Sequence, residues 1–317
     1  MQLNLPILEP LSSCKSLLIA GMGGGFDIFC GLPIYFELRK RGQTVHLANF
    51  SFTSLSDLSD PVKLSDSLFK VDADQKSTLP YFPELYLTQW FREKHGEEVP
   101  IWCFEKTGVR PLLDGYRELI EHLSIDGILL IDGGVDSLMQ GNEAQTGTLI
   151  EDSISLAAVE QLKQVPFRFT ACIGFGAEQD MAYAQVLENI AALTKSGNFF
   201  GSCSVLPQME SYQLYEEAVL YVFDRPVQDT SVINSSIISA TRGNFGNYHL
   251  TEKTQGSHLW ISPLMPIYWF FDLKAVAERN LILSAIRYTD SMIDAFRSVL
   301  VAMSMLPKRK LTRILLS

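Results

Sequence analysis

A four-residue apolar run, Leu17-Leu18-Ile19-Ala20, stops abruptly at Gly21-Met22-Gly23-Gly24-Gly25, and no other stretch limits the fold so tightly. A short apolar run bounded by glycine reads as a buried parallel strand ending in a tight turn. From Asp27 to Arg41, apolar residues recur at helical spacing (Ile28, Leu32, Tyr35, Phe36, Leu38), and Lys40-Arg41-Gly42 supplies a cationic last turn and a glycine stop. Thr44-Val45-His46-Leu47-Ala48 is then a second strand. Strand, turn, helix and strand in this order form a βαβ unit, with a right-handed crossover and parallel strands.

The same alternation continues along the chain. The Ser, Asp, Thr and Pro-rich stretch 51–83 reads as a loop or insertion. Helices are predicted at 84–94, 112–123, 152–162, 181–193, 212–221 and 229–241, the last capped by Asp229 or Thr230 and stopped by Gly243. Strands are predicted at 101–104, at 127–131 running into Asp132-Gly133-Gly134, at 167–173 before Gly174-Phe175-Gly176, and at Leu259-Trp260-Ile261. Two helices, 274–286 and 289–305, close the pattern. The expected architecture is a single α/β domain over 1–317. Its sheet is doubly wound, mostly parallel and Rossmann-like, with helices on both faces and a helical part over 274–305.

At 317 residues and 47% apolar, the chain can bury a large core without cross-links or metals. Its longest apolar patch, Leu264 to Phe271, contains Pro266 and is far short of a membrane span of about 20 residues. The aromatic cluster Tyr268-Trp269-Phe270-Phe271, with Met303 and Met305, reads as core or as a subunit interface, so a homo-oligomer is an expectation. The start, Met1 to Pro6, lacks the charged and apolar regions of a signal peptide. Five widely spaced cysteines (Cys14, Cys30, Cys103, Cys172, Cys203) offer neither a disulfide framework nor metal-ligand spacing. A reducing cytoplasm fits, with no membrane partner.

Twenty-six basic against 36 acidic residues give a formal charge of −10. The one dense basic run, Lys308-Arg309-Lys310 with Arg313, reads as a solvated helix end or tail, so nucleic acid is not expected as a partner.

Ligands of open α/β sheets bind beyond the carboxyl ends of the strands. Three glycine turns fall at that edge: Gly21, Gly23, Gly24 and Gly25; Gly133 with Gly134; and Gly174 with Gly176. They are candidate ligand-binding positions, because glycine lets backbone amides approach an anion closely. The dinucleotide fingerprint fails, since Phe26 stands where its third glycine should be and Asn49 and Ser51 follow the second strand instead of an acid. No Gly-Lys-Ser/Thr occurs, and no G-x-S-x-G elbow. His46, His95, His122, His249 and His258 show no pairing motif and read as structural or surface residues, although His249 and His258 flank a polar loop with Arg242.

Asp132, Asp136, Glu143, Glu151 and Asp152 crowd into 21 residues directly after a buried strand. Carboxylates that converge repel one another unless a cation intervenes, and an oxygen-only set suits Mg²⁺ or Mn²⁺. Asp132 and Asp136 are the candidate catalytic and metal residues, and Glu143 is a candidate general base or further ligand. Asp27 joins them as a metal and ligand residue if the first and fourth strands lie side by side. Glu151 and Asp152 read instead as helix-start residues, with Thr148 and Glu151 as a capping box.

The turn Gly23-Gly24-Gly25-Phe26-Asp27, the segment Asp132-Gly133-Gly134-Val135-Asp136-Ser137-Leu138 with Gly141 and Glu143, and the late Phe271-Asp272-Leu273 resemble the family called domain of unknown function 1152. The likeness runs from about Ser16 to about Ala295. This chain has Val135 where that family usually has a second glycine, and Glu178 where an aspartate is expected. The resemblance implies the fold and the turns; no reaction comes with it.

The functional expectation is an enzyme of metal-dependent hydrolysis or group transfer on a phosphorylated or nucleotide-like metabolite. The alternatives are a non-catalytic nucleotide or metabolite sensor and an atypical nicotinamide or flavin enzyme.

Overall fold

A computed structural model of the chain describes residues 5–310. Its nine strands are β1 (Ser16–Gly21), β2 (Thr44–Phe50), β3 (Val62–Ser65), β4 (Leu68–Val71), β5 (Ile101–Phe104), β6 (Gly127–Gly133), β7 (Phe167–Ile173), β8 (Phe199–Ser204) and β9 (Ile267–Asp272). They form one sheet in the order β3-β4-β5-β2-β1-β6-β7-β9-β8. The central five, from β5 to β7, are parallel. Antiparallel pairs extend both edges: β3 with β4 and β4 with β5 on one side, β7 with β9 and β9 with β8 on the other. The sheet is therefore parallel at its centre and mixed at its edges.

The burial of β1 on both faces explains its unbroken apolar run. Leu17 and Ile19 point into one core and Leu18 and Ala20 into the other. Against the Leu17 face lie α1 (Leu8–Ser13), α2 (Asp27–Cys30), α3 (Leu32–Lys40), α4 (Pro83–His95), α8 (Glu210–Phe223) and α9 (Val232–Thr241). Against the Leu18 face lie α5 (Val109–Leu123), α6 (Ile150–Glu160), α7 (Tyr183–Lys195), α10 (Leu273–Arg279), α11 (Leu283–Ile286) and α12 (Met292–Met305). No helix among the described residues is long and apolar enough to cross a membrane.

Several local expectations are corrected. The stretch 51–83, expected to be a loop or insertion, contains a hairpin of β3 and β4 that caps the sheet beside β5. The late strand is not Leu259-Trp260-Ile261, where only an isolated bridge from Ile261 to Gly246 forms. It is the aromatic segment Ile267–Asp272, which inserts between β7 and β8. Tyr268, Phe270 and Phe271 are consequently buried inside this protomer, so they are not a subunit face. β8, missed in sequence because Gly201 and three serine or cysteine residues interrupt its pattern, pairs with β9 at the edge. The expected helix 274–286 breaks at Asn280, which has extended backbone and whose Oδ1 accepts from the Ile282 amide. Helix α9 is capped by Ser231, whose Oγ accepts from the Asn234 amide, and not by Asp229 or Thr230.

The C-terminal basic run is not wholly solvated. Arg309 forms ion pairs with Glu143 at 3.1 Å and with Glu188; Arg313 lies outside the described residues.

Leu129 is fully buried on β6, between β1 and β7. Leu129→Ala is expected to destabilise the protein by about 2–5 kcal/mol in urea unfolding, whereas a change below about 1 kcal/mol would show that β6 is not central.

Candidate functional site

Strand β1 pairs directly with β6, Gly21 lying opposite Ile131. This satisfies the condition set for Asp27. The chain leaving β1 turns through Gly23 into α2, whose first residue is Asp27, and the Gly23 amide donates to Asp27 Oδ2 at 2.7 Å. Asp132 is the last residue but one of β6, on the same sheet edge. The third contributor is Asp152, in the first turn of α6. Ser155 Oγ donates to the Met22 carbonyl at 2.7 Å, tying that helix to the glycine turn. One oxygen from each of Asp27, Asp132 and Asp152 lies within 4.8 Å of the others.

Two further carboxylates border this trio. Asp136 follows the β6 turn, and its Oδ2 accepts from the Thr148 amide at 3.0 Å and the Thr148 hydroxyl at 3.1 Å. Glu178 arrives from the turn after β7, where Gly174 (φ +96°) and Gly176 (φ +99°) hold backbone that other residues rarely adopt. Its Oε2 accepts from the Val135 amide at 3.2 Å. Val135 has φ −142°, so glycine is not required there.

All five carboxylates line a cavity of about 660 Å³. Asp132, Asp136 and Asp152 are only 2%, 4% and 3% exposed. Among the described residues, none of the five forms an ion pair with Lys or Arg. Glu151 is paired with Lys106, and the one cationic side chain on the cavity wall, Lys253, is held at 2.6 Å by Asp229. Asp152 Oδ1 is buried without any hydrogen-bond partner. Burial first, then the charges of Asp136 and Asp132, raise Asp152 and Glu178 well above the usual carboxylate range. Burial, with repulsion from Asp136 and Asp27, does the same to Asp132. Asp136 is also raised by burial, against the opposing Thr148 hydrogen bonds. Asp27 is pushed up to about 8, by burial against the lowering effect of the Gly23 amide.

Of the sequence candidates, Asp27, Asp132, Asp136, Gly23 and Gly133 meet at the cavity. An added Cβ on Gly23 would sit 2.7 Å from Asp27 Oδ2 and 2.9 Å from Asp152 Oδ1, so glycine is required there by close approach. Gly21 packs against Asn49 behind the turn, while Gly24 and Gly25 face Phe52 and Tyr81. Gly134 hands its amide to the Ile173 carbonyl, and Gly174 and Gly176 shape the turn that carries Glu178; none of these lines the cavity. Glu143 is also elsewhere, since its oxygens accept from the amides of Gln140 and Gly141, from Asn189 and from Arg309. It is a buried structural acid and not a candidate base.

The expected capping box is absent. Thr148 binds Asp136, Glu151 binds Lys106, and α6 has no side-chain cap. Asp152, expected from sequence to be a helix-start acid, is a site residue that the sequence did not single out. The available signal was Ser153 to Val159, an uncharged stretch about two turns long, which marks a helix buried all round and places the acid before it inside the protein.

The metal-free protein should lose stability with rising pH. These carboxyls have folded pKa values raised above the unfolded aspartate value near 4, so the folded state keeps protons that the unfolded chain releases. Their contribution is complete below about pH 4 and is lost as pH rises through their folded values, about 8 for Asp27. With chelator present, Tm is expected to fall between about pH 5 and pH 8, and Asp152→Asn to reduce that fall. A flat Tm across this range would contradict the electrostatic picture.

The model of a family described as Protein of unknown function (DUF1152) matches residues 18–305. Neither the curated proteins nor the solved structures hold a significant match to the chain. With the family match covering most of its length, the chain belongs to the DUF1152 family.

Proposed function

We propose that this protein is a divalent-metal-dependent enzyme that hydrolyses, or transfers a group from, a phosphorylated or nucleotide-like metabolite. The observation that carries the reading is the convergence of Asp27, Asp132 and Asp152, with no cation paired to them, around the orphaned buried oxygen of Asp152. Oxygen-only ligands suit Mg²⁺ or Mn²⁺ over softer ions. Such an ion, when bound, polarises a substrate oxygen or makes a bound water more acidic. In hydrolysis, water supplies the oxygen of the new bond to phosphorus, the bond to the leaving oxygen breaks, and the proton shed by water ends on the leaving oxygen. This chemistry needs no Cys or His nucleophile, and none lines the cavity.

The remaining wall supports an anionic substrate with an organic portion. Val232 and Ile233, the first turn of α9, line the cavity, and helix N-termini attract anions. Lys253 stands on the same wall, and Ala177 and Leu259 add apolar surface. The five cysteines are all free thiols, which supports a reducing, cytoplasmic setting.

A thermal-shift screen of nucleotides and sugar phosphates, with and without Mg²⁺ or Mn²⁺, tests the reading. A cation at 100 times its Kd should add about 2.7 kcal/mol of stability. Asp132→Asn should remove that response and lower product formation on the order of 10²-fold or more. Binding that ignores the metal would sink the proposal, and metal-dependent binding without turnover would make the protein a sensor. Lys253→Met is expected to weaken retention of the phosphorylated compound about tenfold, or about 1.4 kcal/mol, while the response to metal alone is unchanged.

A further inference from the structure

We infer that the outer face of α12 is the contact between two copies of this chain, paired antiparallel about a two-fold axis near Phe296. The inference is independent of the metal chemistry proposed above. One side of α12 packs inward: Ala295 and Val299 are fully buried, with Met292, Ala302 and Met303 partly buried beside them. The other side is apolar as well. Ile293, Phe296, Leu300, Val301 and Met305 are 47% to 76% exposed, and Tyr288, just before the helix, is 76% exposed. A helix that is apolar all round is ordinarily buried. α5, against the same sheet face, shows the solvated alternative, since its exposed residues are Arg110, Asp114, Arg117, Glu118, Glu121 and His122.

At about 200 Å² for a large side chain, the six exposed on and beside α12 offer on the order of 700 Å². That exceeds the largest apolar patch of a typical monomer and is close to the roughly 800 Å² that each partner of a standard interface buries. The order of the residues identifies the partner, because it is self-complementary. An axis at Phe296 sets that ring against its counterpart, Ile293 of each copy against Leu300 of the other, and Tyr288 against Met305. Charge follows the same order. Arg297, which has no ion pair among the described residues, lies three residues from the exposed Asp294. The axis brings Arg297 of each copy to Asp294 of the other, so opposite charges meet at the edge of the stripe.

Sedimentation equilibrium of the full chain at micromolar concentration tests the inference. The expected species is a dimer, with Leu300→Glu raising its Kd by about a hundredfold or more and leaving the far-ultraviolet circular dichroism unchanged. Arg117→Glu, on the solvated face of α5, should leave the dimer intact. Arg297→Cys, close to the axis, should cross-link the two copies under mild oxidation. Met305→Cys, about 25 Å from its counterpart along the helices, should not. A monomer at every concentration would overturn the inference, as would a dimer that survives Leu300→Glu or one that Arg297→Cys fails to link. A chain that dimerises only after removal of residues 311–317 would assign the stripe to that segment and overturn it equally.

Discussion

Leu17 to Gly21 runs in parallel register beside Gly127 to Ile131, and through this pairing the turn after β1 and the turn after β6 leave the sheet side by side. Every feature of the cavity follows from that adjacency. It sets Asp27 next to Asp132, leaves a groove into which the first turn of α6 can lower Asp152, and aligns β7 so that its own turn delivers Glu178. A parallel pair requires a crossover between its strands, and the crossovers cover both faces with helices. The carboxylates therefore meet where water is scarce and their mutual repulsion is weakly screened.

A metal-free cluster of this kind opposes folding. Buried acids without cationic partners are protonated or destabilising, and the raised pKa values of Asp132, Asp152 and Glu178 express that conflict. Elsewhere a buried acid is satisfied: Glu143 receives two backbone amides, an amide side chain and Arg309. The contrast between Glu143 and the unpaired acids at the strand ends marks the cavity as a place where stability is given up, which supports the proposed function.

The parts of this layout legible in the sequence were those written in local patterns. The run Leu17 to Ala20, the helix after Asp27 and the run Gly127 to Ile131 announced themselves through periodicity and glycine stops, and Asp132 was recognisable because it ends a buried strand. Periodicity failed where a segment's surroundings decide its state. Ile267–Asp272 is aromatic enough for a core helix or an interface, and only antiparallel pairing with β7 and β8 makes it a strand. Asp152 looked like a helix-start acid because that local preference is real; burial of the whole of α6 overrides it. Glu143 misled for the converse reason, since its partners Asn189 and Arg309 are 46 and 166 residues away.

By itself the sequence determined the alternation of strands and helices, the glycine turns at strand ends and an excess of acid that no basic segment balances, because each of these is a property of neighbouring residues. Tertiary structure alone decided which acids meet. Asp27, Asp132, Asp152 and Glu178 come from four different segments, and strand order in the sheet, set by long-range packing, brings them to one cavity. The same packing withdrew Glu143, although it lies closer in sequence to Asp132 than Asp152 or Glu178 does. Sequence proximity could not make that choice, because carboxylates act on one another through space and solvent exposure, which the fold alone establishes.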